Sequence, residues 1–205
     1  MKSVLITGGT TRIGKAIAER LLQHGYRVLT SSHRPNAGAD IVADLSKAEG
    51  AAKLFSEATK ILNGYPPDAL VKNAAIFTGD DEAMDAINVA SPEKLTTLMS
   101  AREAGVGAVV NILDANTYLN HYGETKSRLA EWTKKSAAIY AATLRVNAVS
   151  PGSVLAPTSV HEKAAERLLD RRATPKDIAD AVEFLLEAEA ITGVILPVDS
   201  GSHLL

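Results

Sequence analysis

Short β-branched runs alternate with longer amphipathic stretches along this chain, and this alternation constrains the fold more than any other feature. Ser3–Thr7 is typical of a buried strand, and Arg12–Gln23 places its apolar residues on one helical stripe. The pattern recurs to the C-terminus and predicts an α/β fold, a doubly wound parallel sheet of seven strands with helices on both faces. The predicted strands are Ser3–Thr7, Arg27–Ser32, Asp40–Val42, Ala69–Lys72, Ala108–Leu113, Leu144–Val149 and Gly193–Val198, and the predicted helices are Arg12–Gln23, Lys47–Leu62, Asp81–Ala104, Tyr122–Tyr140, His161–Asp170 and Pro175–Ala188.

Composition excludes several classes of function. The 205 residues are 46% apolar and 22% charged, and no linker or repeat divides them, so we expect one globular domain over residues 1–205. A net charge of −2 without a basic block argues against nucleic-acid and membrane-surface partners. The chain has no cysteine, no secretory signal and no run of 18 apolar residues. We therefore expect no disulfide, no metal site and no membrane span, and a cytoplasmic location.

The first predicted strand runs into a glycine-rich turn, Thr7-Gly-Gly-Thr-Thr-Arg-Ile-Gly14, which opens the first predicted helix. Glycines let the backbone approach a pyrophosphate, and free N–H groups at the helix start attract that anion. An ordinary strand-to-helix turn is the alternative, but the order of strand, turn and helix favours a Rossmann-type dinucleotide site. The candidate cofactor contacts in this turn are Gly8, Thr10, Arg12, Ile13 and Gly14.

The end of the second predicted strand distinguishes the two nicotinamide dinucleotides. An acidic residue there binds the ribose 2′-hydroxyl of NAD, but this chain has Ser32-His-Arg34. Arg34 can hold a 2′-phosphate through charge-assisted hydrogen bonds, and Ser32 and His33 can add donors. The sequence therefore predicts NADPH (NADP), unless Arg34 is an ordinary solvated arginine. Asp44, after the third strand, is placed to accept from the adenine amino group.

Tyr122 and Lys126 form a Tyr-x-x-x-Lys motif at the start of a predicted helix. Residues four apart share a helix face, so the lysine ammonium would stabilise the phenolate and lower the pKa of Tyr122 from its ordinary value of about 10. Such a phenol can deliver a proton while a hydride arrives from a cofactor. Taken alone, the motif is equally compatible with a pair of surface residues.

Together these motifs resemble those of the short-chain dehydrogenase/reductase family, and the resemblance covers nearly the whole chain. Thr7–Gly14 matches the family's cofactor turn, and Asn73-Ala74 matches its Asn-Ala-Gly element after the fourth strand. Asn88 falls in the helix that carries the family's tetrad asparagine. The remaining matches are Asn111–Asp114 after the fifth strand, the Tyr122 and Lys126 pair, Pro151-Gly152 after the sixth strand, and Thr192-Gly193 before a seventh strand ending in Asp199-Ser-Gly201.

The resemblance implies an NAD(P)H-dependent short-chain reductase in which the cofactor supplies the hydride. It makes Tyr122 the general acid, and it makes Lys126 the residue that binds the nicotinamide ribose and lowers the pKa of Tyr122. Asn88 would anchor a water in a proton relay. The further cofactor contacts that it implies are Asn73, Ala74, Pro151 and Gly152.

Three departures from the family's common pattern resemble its pteridine reductase branch, which includes the bacterial dihydromonapterin reductases. Arg12 replaces the middle glycine of the turn, Asp114 stands at the catalytic serine position, and Phe77 lies four residues after Asn73. An aromatic ring can stack a pterin, a guanidinium can reach its oxygen, and a carboxylic acid can pass protons to a ring nitrogen. The implied substrate contacts are Arg12, Phe77, Asp114 and Tyr122, with Asp114 also catalytic.

Each of these three residues has an ordinary alternative. Phe77 could be a core side chain, Arg12 could bind phosphate only, and Asp114 could be a turn or N-cap residue. Only eight residues separate Asp114 from Tyr122, which is short for the family. The stretches from Asn73 to Asn88 and from Pro151 to Pro175 are short as well, and Lys72 replaces a usual second asparagine. We expect a more open site, in which Asp114 is at risk of lying out of reach of the substrate.

The leading hypothesis is an NADPH-dependent reductase that converts a dihydropterin to a tetrahydropterin. The alternatives are a carbonyl (ketone or aldehyde) reductase and a dinucleotide-binding sensor without turnover. The partner is expected to be a small molecule. The resemblance also implies a homodimer or homotetramer that pairs the helices Asp81–Ala104 and Tyr122–Tyr140. Their residues Leu95, Leu98, Leu129 and Trp132 are either exposed for such pairing or face the chain's own core.

Overall fold

The predicted sheet is present in the computed structural model, which describes residues 1–77, 79–103, 105–115, 120–154 and 166–205. Within those residues, seven strands form one all-parallel sheet in the order β3-β2-β1-β4-β5-β6-β7. The strands are β1 (Ser3–Thr7), β2 (Arg27–Ser32), β3 (Ile41–Val42), β4 (Ala69–Lys72), β5 (Gly107–Ile112), β6 (Leu144–Pro151) and β7 (Ile195–Val198). The strand order reverses between β1 and β4, and a crevice for a ligand opens at such a point beyond the carboxyl ends of the strands.

Helices cover both faces of the sheet, as predicted for a doubly wound fold. The α-helices are α1 (Arg12–Gln23), α2 (Gly50–Ile61), α3 (Asp81–Asp85), α4 (Ser91–Ser100), α5 (His121–Ile139) and α6 (Pro175–Glu187). A π-helix over Ala86–Ala90 joins α3 to α4, so the predicted helix from Asp81 is continuous but irregular. The predicted helix His161–Asp170 is not found at residues 166–170, and its first five residues lie outside the described ones.

The two faces of β1 show why these short apolar runs become strands. Val4 and Ile6 belong to the core beneath α1 and α6, whereas Leu5 belongs to the core beneath α2 and α4. All three side chains are completely buried, so both faces of the strand are apolar, as in a sheet covered by helices on each side. Burying one such side chain contributes about 1.5–3 kcal/mol. This packing fixes where β1 ends and therefore where the glycine-rich turn begins.

Two of the four residues considered for subunit pairing face the chain's own core. Leu95 and Leu129 are 1% and 2% exposed, so the reading of these two as exposed pairing residues is wrong. They are buried because Leu95 packs with the α2 side of the core and Leu129 packs with Leu113. Leu98 and Trp132 are partly exposed. None of the helices in the described residues is both long and apolar enough to cross a membrane.

Candidate active site

The glycine-rich turn has the backbone geometry that its sequence requires. Gly8 has a φ of +63°, and a Cβ on Gly14 would collide with the Gly8 carbonyl oxygen. Gly14 therefore lets α1 pack directly on the turn. Thr11 occupies the N-cap position of α1 but makes no side-chain cap. The N–H groups of the first helical turn are thus left without a capping side chain, which suits a bound phosphate.

Arg12 holds an unusual backbone conformation at the start of α1. Its φ is +52°, in the left-handed region, where a residue with a Cβ is strained by roughly 1–2 kcal/mol. Glycine adopts this conformation without strain, whereas this chain carries a guanidinium there. The side chain of Arg12 is exposed at the carboxyl end of β1. A strained residue at this place is a marker of a functional site.

Asn73 and Thr7 brace the turn from the neighbouring strand. The Asn73 side-chain amide donates to the carbonyl oxygens of Thr7 and Gly8, at 3.1 and 3.0 Å. The Thr7 hydroxyl oxygen accepts from the backbone N–H groups of Asn73 and Ala74, both at 3.0 Å. Asn73 thus shapes the cofactor turn, and its amide hydrogens are used for that purpose. Sequence reasoning missed Thr7, although a hydroxyl at the end of a buried strand was an available signal.

The residues predicted to select NADPH lie at the carboxyl end of β2. His33 and Arg34 are exposed, and the Arg34 backbone N–H donates to the Ser32 hydroxyl oxygen at 3.0 Å. This bond holds the backbone of the loop, and the exposed side chain of Arg34 is accessible to an anion from solvent. Asp44 accepts from the hydroxyl and backbone N–H of Ser46 with Oδ1, and these bonds lower the pKa of Asp44.

Tyr122, Asp114 and Phe77 meet at the carboxyl end of β5. The Tyr122 hydroxyl donates to Asp114 Oδ2 at 3.1 Å. The two side chains therefore meet although few residues separate them in the sequence. The rings of Phe77 and Tyr122 lie 4.7 Å apart between centroids, tilted by 60°. Phe77 is 50% exposed, whereas Tyr122 is 8% exposed. Phe77 is therefore a surface aromatic beside a phenol, and not a core side chain.

Lys126 lies one helical turn after Tyr122. Its ammonium is 5.5 Å from the centroid of the Tyr122 ring and donates to the Ile112 carbonyl oxygen at 3.0 Å. Burial lowers the pKa of Lys126 to about 8, and the nearby Asp114 carboxylate opposes that shift. A buried amine fixed at this distance from a phenol can influence the ionisation of that phenol.

Asn88 lies in the π-helix and joins three elements of the site. Its Oδ1 accepts from the Ile76 backbone N–H at 3.0 Å, and its Nδ2 donates to the Ile76 carbonyl oxygen at 2.9 Å and to Thr125 Oγ1 at 3.1 Å. The side chain thereby holds the residue next to Phe77 against the helix of Tyr122. Thr125 is a second residue that sequence reasoning missed, although its place between Tyr122 and Lys126 was a signal.

Pro151 and Gly152 close the site at the end of β6. The Pro151 carbonyl oxygen accepts from the Ala115 backbone N–H at 2.7 Å, next to Asp114. A Cβ on Gly152 would collide with Asp199 after β7, so only glycine allows this close packing. In the described part of the chain, no group of three or more histidine, aspartate or glutamate residues could hold a metal ion.

These features fit a nicotinamide dinucleotide. The braced turn and the uncapped start of α1 suit the pyrophosphate, and the exposed Arg34 suits a 2′-phosphate. Tyr122 and Lys126 lie at the carboxyl end of β5, the second strand from β1, on the side of the crevice where the reactive end of a bound ligand would lie. The residues present therefore agree with the chemistry of the cofactor that the sequence predicts.

Comparison with known proteins agrees with this geometry. A family model described as enoyl-(acyl carrier protein) reductase matches residues 9–203. The uncharacterized oxidoreductase YmfI of Bacillus subtilis is 33% identical over 98% of this chain and 99% of its own length. That alignment spans 244 positions against 205 residues here, so the relative has residues that this chain lacks, as expected for a shortened member.

A second relative and a solved structure are similar over comparable lengths. Pteridine reductase 1 of Leishmania tarentolae is 29% identical over 98% of this chain and 96% of its own length. The crystal structure of FolM alternative dihydrofolate reductase 1 from Brucella canis, complexed with NADP, has a TM-score of 0.86 and 29% identity over 100% of this chain and 95% of that chain. The family model, the relatives and the fold agree. The chain therefore belongs to the short-chain dehydrogenase/reductase family and is an oxidoreductase.

Proposed function

We propose that this chain is an NADPH-dependent reductase that converts a dihydropterin to a tetrahydropterin. The observation that carries the proposal is the cluster of Asp114, Tyr122 and Phe77, in which a carboxyl group, a phenol and an exposed ring adjoin one another. A flat, nitrogen-rich heterocycle needs a stacking surface and a source of protons, and this cluster has both. The similarity to a pteridine reductase and to an NADP complex of FolM supports it.

The proposed cofactor contacts are those of the turn and of the second strand. The first N–H groups of α1 bind the pyrophosphate, and Arg34 pairs with the 2′-phosphate with help from Ser32 and His33. Lys126 binds the nicotinamide ribose. When bound, the nicotinamide supplies the hydride.

The proton comes from the protein side of the site. Tyr122 delivers its phenolic proton to the reacting region of the substrate and becomes a phenolate. Asp114, 3.1 Å away, takes up a proton from solvent and passes it to that phenolate, which restores the phenol. Lys126 keeps positive charge beside the pair when it is protonated. Asn88 holds the geometry through its three hydrogen bonds to Ile76 and Thr125.

Substrate recognition rests on Phe77 and Arg12. The half-exposed ring of Phe77 stacks on the pterin, and the exposed guanidinium of Arg12 reaches its oxygen or the neighbouring phosphate. Both side chains lie at the carboxyl edge of the sheet, and they leave the site open to a flat molecule.

A carbonyl reductase is the second candidate. The Tyr122 and Lys126 pair suits protonation of a carbonyl oxygen equally well. The sensor hypothesis requires no turnover at all.

We also propose that residues 1–205 form one domain. Assembly into a homodimer or homotetramer and a cytoplasmic location stay predictions from the sequence.

The test is NADPH consumption by the purified protein with dihydropterins and with simple ketones and aldehydes, each over a range of concentrations. Turnover with a dihydropterin at a higher kcat/KM than with any carbonyl compound supports the proposal. Turnover with carbonyl compounds alone would replace it by the second candidate. NADPH binding without turnover of either class would favour the sensor.

A further inference from the structure

Lys72 is a buried amine to which the proposed reaction gives no role. It is the last residue of β4 and is 2% exposed. Its Nζ donates to the Pro92 carbonyl oxygen at 2.9 Å and to the Thr96 hydroxyl oxygen. Both acceptors belong to the first turns of α4, so this single side chain joins the end of a central strand to the start of a helix.

The two elements that Lys72 joins lead directly into the site. β4 continues into Asn73, whose amide braces the glycine-rich turn. α4 begins at Ser91, directly after the π-helix that carries Asn88. A displacement of α4 from β4 would therefore change the distance between Asn73 and Asn88, and with it the fit of the turn to the rest of the site.

The surroundings of Lys72 suit an uncharged amine. A neutral amine has two N–H groups for the two acceptors present, whereas an ammonium has a third N–H that needs another partner. The strand neighbours paired with Lys72 are Thr7 on β1 and Asn111 on β5, and neither carries charge. Glu93 on α4 is the charged group that favours the ammonium, but burial outweighs it and lowers the pKa of Lys72 to about 7.

We propose that Lys72 is a positioning residue, whose uncharged amine ties β4 to α4 and so holds Asn73 and Asn88 in the arrangement that binds the dinucleotide. The ligand named here rests on the proposed function, whereas the tie itself does not. Protonation adds a buried N–H beyond the two acceptors that the described residues offer to Lys72, which weakens the tie. Dinucleotide binding then falls with acidification below about pH 7.

The variant Lys72→Met removes the tie without leaving a polar group unpaired. The Pro92 carbonyl oxygen still accepts from the Thr96 hydroxyl at 2.9 Å. Lys72→Gln is a second variant that keeps an amide donor and cannot be protonated in this pH range. The matched control is Lys94→Met, which removes an exposed lysine from the same helix.

The experiment measures the Kd of NADPH between pH 6 and pH 8 for the four proteins, together with hydrogen exchange of the α4 backbone amides. Between pH 8 and pH 6, wild type and Lys94→Met should lose affinity by up to about fivefold beyond the effect of the 2′-phosphate, with faster exchange in α4. Lys72→Met should bind about fivefold more weakly than wild type at pH 8 and should lose no more on acidification than the 2′-phosphate itself imposes. Lys72→Gln should show the same weak dependence of the NADPH Kd on pH.

The pH response of Lys72→Met decides the proposal. If affinity and α4 exchange in this variant follow wild type at every pH, Lys72 does not act as the tie and the proposal is overturned. If none of the four proteins binds NADPH at any pH, the proposed function fails. Exchange in α4 still decides whether Lys72 holds the helix.

Discussion

The Tyr122 hydroxyl donates a 3.1 Å hydrogen bond to Asp114 Oδ2. This distance is that of a direct hydrogen bond between a phenol and a carboxyl oxygen. The Asp114 carboxyl group therefore fixes the direction of the phenolic O–H and lies within direct reach of its proton. The serine that is common in the family at the position of Asp114 has no carboxyl group to make this bond.

The first prediction concerns the proton donor. Tyr122→Phe keeps the ring that contacts Phe77 but removes the hydroxyl, so kcat for reduction should fall by about 10²–10⁴. The Kd of NADPH should stay within about twofold of wild type, because the hydroxyl is assigned no cofactor contact. Stopped-flow reduction and fluorescence titration measure the two quantities. Retention of wild-type kcat would remove Tyr122 from the mechanism.

The second prediction concerns Asp114. Asp114→Asn preserves shape but removes the acid, so kcat with a dihydropterin should fall by roughly 10². Asp114→Ser introduces the family's common residue and should raise the ratio of ketone to dihydropterin kcat/KM. Parallel assays with the two substrate classes test both variants. An unchanged ratio in Asp114→Ser would mean that this carboxyl group does not select the substrate.

The third prediction concerns the choice of dinucleotide. Arg34→Gln removes a charge-assisted contact worth about 1.5–3 kcal/mol, so the KM for NADPH should rise by roughly 10–100-fold and the KM for NADH should change little. Arg27→Gln is the matched control, since Arg27 is an exposed arginine at the opposite end of β2. Equal losses for both dinucleotides in Arg34→Gln would show that Arg34 does not contact a 2′-phosphate.

The fourth prediction concerns stability and pH. Burial lowers the pKa of Lys72 from 10.5 to about 7 in the folded protein. Between these values the unfolded chain binds a proton that the folded protein does not, so folding stability rises with pH by up to about 1.4 kcal/mol per unit. Below about pH 7 both states are protonated and Lys72 contributes no slope.

Urea unfolding at pH 7, 8 and 9 measures this slope. The free energy of unfolding of wild type, relative to Lys72→Met, should increase at each step, whereas Lys94→Met should follow wild type. Parallel curves for wild type and Lys72→Met would show that Lys72 keeps its ordinary pKa in the folded protein.

Sequence patterns predicted most of the fold because parallel strands and amphipathic helices have distinct apolar periods. The bounds of β1, α1 and β2 agree with prediction, since glycine or a β-branched run marks each end. The π-helix at Ala86–Ala90 was not predicted. Its residues continue a helical pattern, and the extra residue in the turn depends on tertiary contacts such as those of Asn88 with Ile76.

The site was predictable where a motif fixes both residue and spacing, as with Tyr122 and Lys126. The sequence did not predict the contact between Asp114 and Tyr122, because the length of a loop does not show how the residues at its two ends are placed relative to each other. The roles of Thr7 and Thr125 were missed, since a buried threonine in a strand or helix is usually a core residue. Their hydrogen bonds depend on the packing of β4 and of the π-helix beside these threonines, which the sequence does not show.

NADPH oxidation against a matched panel of dihydropterins, ketones and aldehydes decides whether this chain is a dihydropterin reductase. A dihydropterin should give the highest kcat/KM, NADPH should be preferred to NADH, and Tyr122→Phe and Asp114→Asn should each abolish most of that turnover. Turnover of simple carbonyl compounds with none for any dihydropterin would contradict a dihydropterin reductase.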